Sequence, residues 1–318
     1  MFAPIRASIT VSKRSMGSVV MKGFGAPTSV LKFNNDKSSL HTPSEGEVVV
    51  QVVSSQVVHE DNRFIRGLSF ANSNAHSSVA GVNAVGKVAS VGSGVSGLKV
   101  GDSVFVLNSG SWSDSITVKA SRASKILDVG DQFALMPSYL TAWAILNDSI
   151  SAGLKAGDSV IHTEGSSAVG SAISQVGNAL GFKVTGVSEA DLNSSDSKNV
   201  KLAISSLSGK PLRELLKHIS NGGRIVTFNG ALTPVLSTSG VDIPTGASIF
   251  DNKSVSGFDL GAWVANNEGG FRDGCAAISS LLSDKKIGIN DVKVLSLADY
   301  QKALDAVQSL GSAVVLKA

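Results

Sequence analysis

The sequence predicts an α/β chain in which a β-rich unit precedes a doubly wound parallel sheet lacking its third strand. Three observations carry this expectation. Up to about residue 118 the apolar residues fall in short alternating or continuous runs punctuated by glycine, the pattern of half-buried or core strands. From residue 138 onward the pattern changes to strands alternating with helices, which implies parallel pairing through crossover connections. Finally, the spacing after the second of those strands is too short for a complete sheet.

In the β-rich unit the clearest strands are residues 47–53 (EVVVQVV), 86–92 (GKVASVG) and 102–107 (DSVFVL). The second unit opens with a helix near 140–149 and continues with a strand at 158–162, a helix at 168–180 and a strand at 183–187. Strand 200–205, helix 212–219, strands 224–228 and 254–258, and a helix near 271–283 follow. The last stretch, strand 292–297, helix 298–309 and strand 313–316, returns to the β-rich unit. At roughly 100 to 200 residues per domain, 318 residues suit two such units. Their expected limits are 18–137 with about 288–318 for the β-rich unit, and 138–287 for the parallel sheet. No tandem repeat is present, and 193–198 is a short polar turn.

The missing strand follows from counting. Only the eleven residues 189–199 separate the strand at 183–187 from the one at 200–205. A sheet of order 3-2-1-4-5-6 needs a helix, a strand and another helix there. At about 11 residues per helix and about 5 per strand they do not fit, so the second strand is left at the sheet edge.

The segment 158–173 runs from strand through a turn to a helix, the context in which backbone N–H groups and a helix N-terminus can meet a pyrophosphate. Gly165 and Gly170 frame this turn, with Ser167, Ala168 and Val169 between them. The methyl group of Ala168 restricts the close approach that glycine would allow. Glu189, 24 residues beyond Gly165, stands where an acid could accept from a ribose 2′-hydroxyl, favouring NADH over NADPH; an ordinary strand-end acid explains it equally well. Phe228, Gly230 and Phe258, after or within later strands, complete the candidate nucleotide wall.

Composition narrows the function classes. Charged residues make up 17% and the net charge is +3, too little and too dispersed for a nucleic-acid footprint. No apolar run reaches the roughly 18 residues that span a bilayer. The single cysteine, Cys275, excludes an internal disulfide framework and a Cys-rich zinc site. His59, Glu60 and His76 share no ligand spacing and read as surface polar residues, so no metal site is expected. Trp112, Trp143 and Trp263 read as core, with the lining of a former pocket as the alternative. The first 35 residues carry Arg6, Lys13, Arg14, Lys22 and Lys32 with several serines and no acid. Residues 1–17 are therefore a candidate mitochondrial transit segment, with a basic, frayed terminus as the alternative.

Several stretches carry a family resemblance: GVSGLKVGD at 94–102, GSW at 110–112, LTAWAIL at 140–146 and LKAGDSVI at 154–161, then GGRIVTFNG at 222–230, GFDLGAW at 257–263 and DYQKAL at 299–304. Together they span nearly all of 18–318. The chain resembles the medium-chain dehydrogenase/reductase superfamily, and within it the zinc-independent mitochondrial 2-enoyl thioester reductases. The resemblance implies a GroES-like β-rich domain and a Rossmann domain, NADPH as hydride source, and homodimers formed through the strand near 254–258.

The same resemblance exposes departures. The family's catalytic tyrosine position is Ser69, two residues after Gly67, and its active-site asparagine position is Val58, followed by His59 in place of proline. Its NADP-binding arginine falls at Ser188 or Glu189, and a C-terminal lysine at Ala313. Hydride transfer needs a cofactor held at near-attack distance and a proton donor, and Ser69 offers a shorter, less acidic hydroxyl than a phenol. No catalytic residue is assigned. The favoured expectation is a degenerate enzyme serving as an accessory or scaffold subunit of a larger mitochondrial complex, in the matrix or facing it, with no cofactor assigned and NADH or NADPH bound only where the nucleotide site is retained. The alternatives are an active NADH- or NADPH-dependent reductase of enoyl thioesters or quinones, and a nucleotide-binding sensor without turnover.

Overall fold

The structure is a computed structural model and describes residues 17–35, 42–68, 78–107, 110–165, 167–192, 199–207, 209–228, 250–288, 291–310 and 313–318. Strands β1 (Ser18–Met21) and β2 (Leu31–Asn34) pair antiparallel around the short helix α1 (Pro27–Val30). Strand β3 (Glu47–Val57) organises the larger sheet. One of its edges pairs with β4 (Asn83–Val91), and the other pairs first with β6 (Ser115–Lys119) and then with the last strand of the chain. Because side chains alternate across a strand, Val48, Val50 and Val52 enter a core with Val104, Ile116 and Val118. Further along, Val57 joins a second core with Tyr300 and Val314.

Strands β5 (Ser103–Leu107) and β7 (Ala123–Lys125) extend this sheet beyond β4. The β-rich unit also contains helix α2 (His59–Ile65), directly after β3. It departs from the all-β expectation because Asp61, at the third helical position, accepts the N–H of Val58 at 2.8 Å and stabilises the first turn.

Helix α3 (Met136–Ser151) buries most of its residues, including Tyr139, Leu140 and Trp143. A helix apolar on every side belongs in a core. Its buried hydroxyls bond back to the preceding turn, Thr141 Oγ1 to the Pro137 carbonyl and Ser149 Oγ to the Ile145 carbonyl. The parallel sheet consists of β8 (Ser159–His162), β9 (Lys183–Gly186), β10 (Val200–Ser205), β11 (Ile219–Phe228) and β12 (Ser254–Phe258). Its order is β12-β11-β10-β8-β9, with every neighbouring pair parallel. Among the described residues the third strand is absent and β9 is an edge, as the eleven-residue spacing requires.

Helices α4 (Ala168–Ala179), α5 (Lys210–Leu216), α6 (Leu260–Asn266) and α7 (Glu268–Ser283) accompany the sheet. The chain then adds β13 (Val292–Ser296), helix α8 (Tyr300–Leu310) and β14 (Ala313–Lys317), and β14 pairs antiparallel with β3. One apolar core joins the two units: Val85 and Phe105 share it with Leu140, Ile173 and Phe271. Trp112 and Trp143 are buried, and Trp263 packs edge-on against Trp143 with ring centroids 6.3 Å apart.

Candidate functional site

The order of the parallel sheet reverses between β8 and β10, since β9 leaves β8 on one side and β10 on the other. Ligands of doubly wound sheets bind at such a point, beyond the carboxyl ends of the strands. The turn after β8 lies there. Gly165 has φ +54°, a left-handed conformation that favours glycine. Gly170 packs so closely that a Cβ on it would stand 2.5 Å from the Gly165 carbonyl oxygen and 3.0 Å from Cβ of Glu164. Ser167 caps α4, its Oγ accepting the Gly170 N–H at 3.1 Å.

Glu164 dominates the chemistry of this point. Its carboxylate accepts the Ser206 N–H at 2.7 Å and the Ser206 hydroxyl at 3.0 Å, with the Thr163 hydroxyl at 3.2 Å. It thus ties the turn after β8 to the end of β10. Burial pushes its carboxyl above the usual carboxylate range, against the lowering effect of these hydrogen bonds. Beneath it His162 is fixed in one neutral form. Nδ1 accepts the Glu164 N–H at 3.3 Å, so Nε2 carries the proton towards Ser174 Oγ at 2.8 Å. Burial pushes the His162 imidazole down to about 4.

A second feature is a narrow cleft of about 100 Å³ between the two units, lined by Val58, Glu60, Arg122, Thr141, Val169 and Asp259 among others. Val169 in the first turn of α4 connects it to the glycine turn. Asp61 sets the Val58 wall: fully buried, it accepts the N–H groups of Val58 at 2.8 Å and Val82 at 2.9 Å. Burial drives its carboxyl up to about 8, against the opposing pull of those two N–H groups. A polar network crosses the base of the cleft. The Gln56 side-chain amide donates to Ser138 Oγ at 2.7 Å, and Asn83 pairs with the Gln56 backbone through both N–H and C=O at 3.1 and 2.8 Å.

The sequence-derived candidates are placed unevenly. Gly165, Ser167, Ala168, Val169 and Gly170 share the turn and first helical turn. Glu189 is exposed after β9, at the sheet edge. Phe228 is buried, and half-buried Phe258 stacks obliquely on Trp263 at 6.4 Å. Ser69, His76 and Gly230 lie outside the described residues. His59 is exposed beside Glu60, whose carboxylate pairs with Arg63 at 3.5 Å. Among the described residues no three His, Cys, Asp or Glu side chains gather as a metal site. No described helix is long and apolar enough to cross a membrane. Sequence reasoning missed Glu164 and Asp61. An acid inside a glycine turn, and an acid four residues after a strand end, were the available signals.

Comparison with known proteins follows this geometry. Residues 44–132 match the alcohol dehydrogenase GroES-like domain. The mitochondrial enoyl-[acyl-carrier-protein] reductase of Rattus norvegicus is 28% identical, over 91% of this chain and 84% of its own. A Caenorhabditis elegans protein of the same name is 27% identical over 93% and 92%. Among solved structures, a quinone oxidoreductase of Pseudomonas syringae superposes with a TM-score of 0.79 at 20% identity, covering 95% of this chain and 99% of that one. A mutant enoyl thioester reductase from Candida tropicalis gives 0.75 at 20% identity, with the same coverage.

Proposed function

From the premise that the chain belongs to the medium-chain dehydrogenase/reductase superfamily, we propose that it is a reductase-fold protein of mitochondria that carries out no hydride transfer. It serves as an accessory or scaffold subunit of a larger assembly. Fold alone assigns no chemistry, so the reading rests on the site. The observation that carries it is the bridge from Glu164 to Ser206, 2.7 and 3.0 Å long. A dinucleotide pyrophosphate at this turn would need free N–H donors and the positive end of α4. Here the turn carries a carboxylate that spans β8 and β10, an acid where a pyrophosphate would bring its own negative charge, which counts against the cofactor.

Two further features support this reading. Val58 faces the cleft where the resemblance implies an asparagine, and valine has no side-chain hydrogen bond to offer. The exposed edge of β9 is a surface that proteins usually cover, and a partner subunit would do so. The mitochondrial location is supported by the names of the relatives. Two measurements test the proposal. The purified protein is assayed for oxidation of NADH or NADPH with an enoyl thioester and with a quinone, where no turnover above the blank is expected. Native electrophoresis of gently lysed mitochondria should show comigration with a larger complex; a purely monomeric or homodimeric form would contradict it.

A second reading, an active NADH- or NADPH-dependent reductase of enoyl thioesters or quinones, is favoured by the position of the cleft between the units, where Val169 joins it to the glycine turn. Turnover in the same assay would establish it.

A further inference from the structure

The parallel sheet has a second polar cavity at its opposite end. All five strands run the same way, so their amino ends gather on the side away from the glycine turn. There a pocket of about 360 Å³ is lined by Ser149, Lys155, Asp158, Lys201, Asn221 and Arg224, with neighbouring backbone.

Two irregularities of pairing build it. Between the pairs Val200↔Ile219 and Leu202↔Arg224, two steps along β10 face five along β11, so three residues of β11 loop out around Asn221 and Gly222. Gly222 has φ +72°. Against β8, two steps of β10 face one, from Val200↔Ser159 to Leu202↔Val160, which makes Lys201 the bulged residue. Bulges re-aim side chains, and Lys201 Nζ reaches the Asn221 carbonyl at 3.2 Å across the pocket.

Arg224 is held from the other side, its Nη2 donating at 2.7 Å to Ser149 Oγ, whose own proton goes to the Ile145 carbonyl. Its Nε is buried and makes no hydrogen bond. None of Lys155, Lys201 and Arg224 forms an ion pair among the described residues. The carboxylate in the lining, Asp158, accepts the Lys155 N–H at 2.8 Å. Asp148, whose charge also acts on Arg224, accepts the Trp263 indole N–H at 3.1 Å. Three cations from three separate segments therefore converge on a roomy hydrophilic pocket with spare donors, one of them a planar guanidinium suited to oxyanions.

We propose that this pocket binds a small phosphate-bearing anion, either free phosphate or the phosphate monoester of a hydrophilic molecule. The site is independent of the proposed loss of hydride transfer, because it shares no residue with the glycine turn or the cleft.

Calorimetric titration with ribose 5-phosphate, inorganic phosphate and ribose, at fixed ionic strength, tests this. The expected result is saturable one-to-one binding of a phosphate species and none of ribose. Ribose 5-phosphate binding more tightly than inorganic phosphate assigns the site to monoesters, and equal affinity assigns it to free phosphate. The double variant Lys155→Gln, Lys201→Gln changes two exposed side chains and leaves the fold in place. It should weaken binding by at least tenfold, and Arg224→Gln should weaken it further. Absence of binding by either phosphate species, equal binding of ribose, or affinity unmoved in the double variant would overturn the proposal.

Discussion

The Glu164 carboxylate accepts both the backbone N–H and the hydroxyl of Ser206, so the ends of β8 and β10 are joined by a side chain at the point where a doubly wound sheet opens to a ligand. Glu164→Ala removes both bonds and leaves the Ser206 donors without an internal partner. The expected cost is about 1–3 kcal/mol of stability, measured by urea unfolding at neutral pH. A variant as stable as the parent would show that the bridge contributes nothing.

His162 gives this region a pH signature. Its imidazole is driven down to about 4 in the folded chain, against an ordinary value of 6.5. The unfolded chain therefore binds the proton first, and the stability contributed by neutral His162 is intact above pH 6.5 and lost as the pH falls towards 4. The slope reaches about 1.4 kcal/mol per pH unit. His162→Gln keeps a donor towards Ser174 and should lose this component of the slope across that window, as followed by urea midpoints at successive pH values.

Cys275 is fully buried on α7, and burial raises its thiol to about 12. The thiolate is the reactive form, so the native protein should resist a thiol reagent at pH 8 and label with one equivalent only in denaturant. Rapid stoichiometric labelling of the native protein would contradict this packing.

Gly274, one residue earlier, lets α7 approach α3. A Cβ there would stand 2.6 Å from Leu140 Cδ1 and 2.8 Å from the Trp143 ring. Replacing a helical glycine with alanine gains about 1 kcal/mol of helix propensity. Overpacking a tight core costs about 1–3 kcal/mol, and the indole ring cannot swing away as a methyl can. Gly274→Ala should therefore lower the thermal midpoint, whereas a rise would mean that the helices separate freely.

The sheet order was legible because it follows from chain length: eleven residues cannot hold a helix, a strand and a helix. The glycine turn was legible because Gly165 and Gly170 answer local backbone demands. The Glu164 bridge was not, since Ser206 is 42 residues away and their meeting depends on β10 lying next to β8. Helix α2 was obscured by its short length and by its cap position, where Val58 stands in place of the usual serine or threonine and Asp61, at the third helical position, supplies the bond. The basic pocket depends on pairing irregularities at Lys201 and around Gly222, which residue patterning does not encode.

The central claim, that the switch point no longer accepts a dinucleotide, is tested most directly by calorimetric titration with NADH and, separately, NADPH. The parent is compared with the Lys155→Gln, Lys201→Gln double variant, so that the basic pocket at the other end of the sheet does not contribute. No saturable binding of either nucleotide to the double variant at millimolar concentration is the expected result. Micromolar binding that persists in the double variant would contradict the account and return the chain to the nucleotide-binding readings, an active reductase or a sensor without turnover.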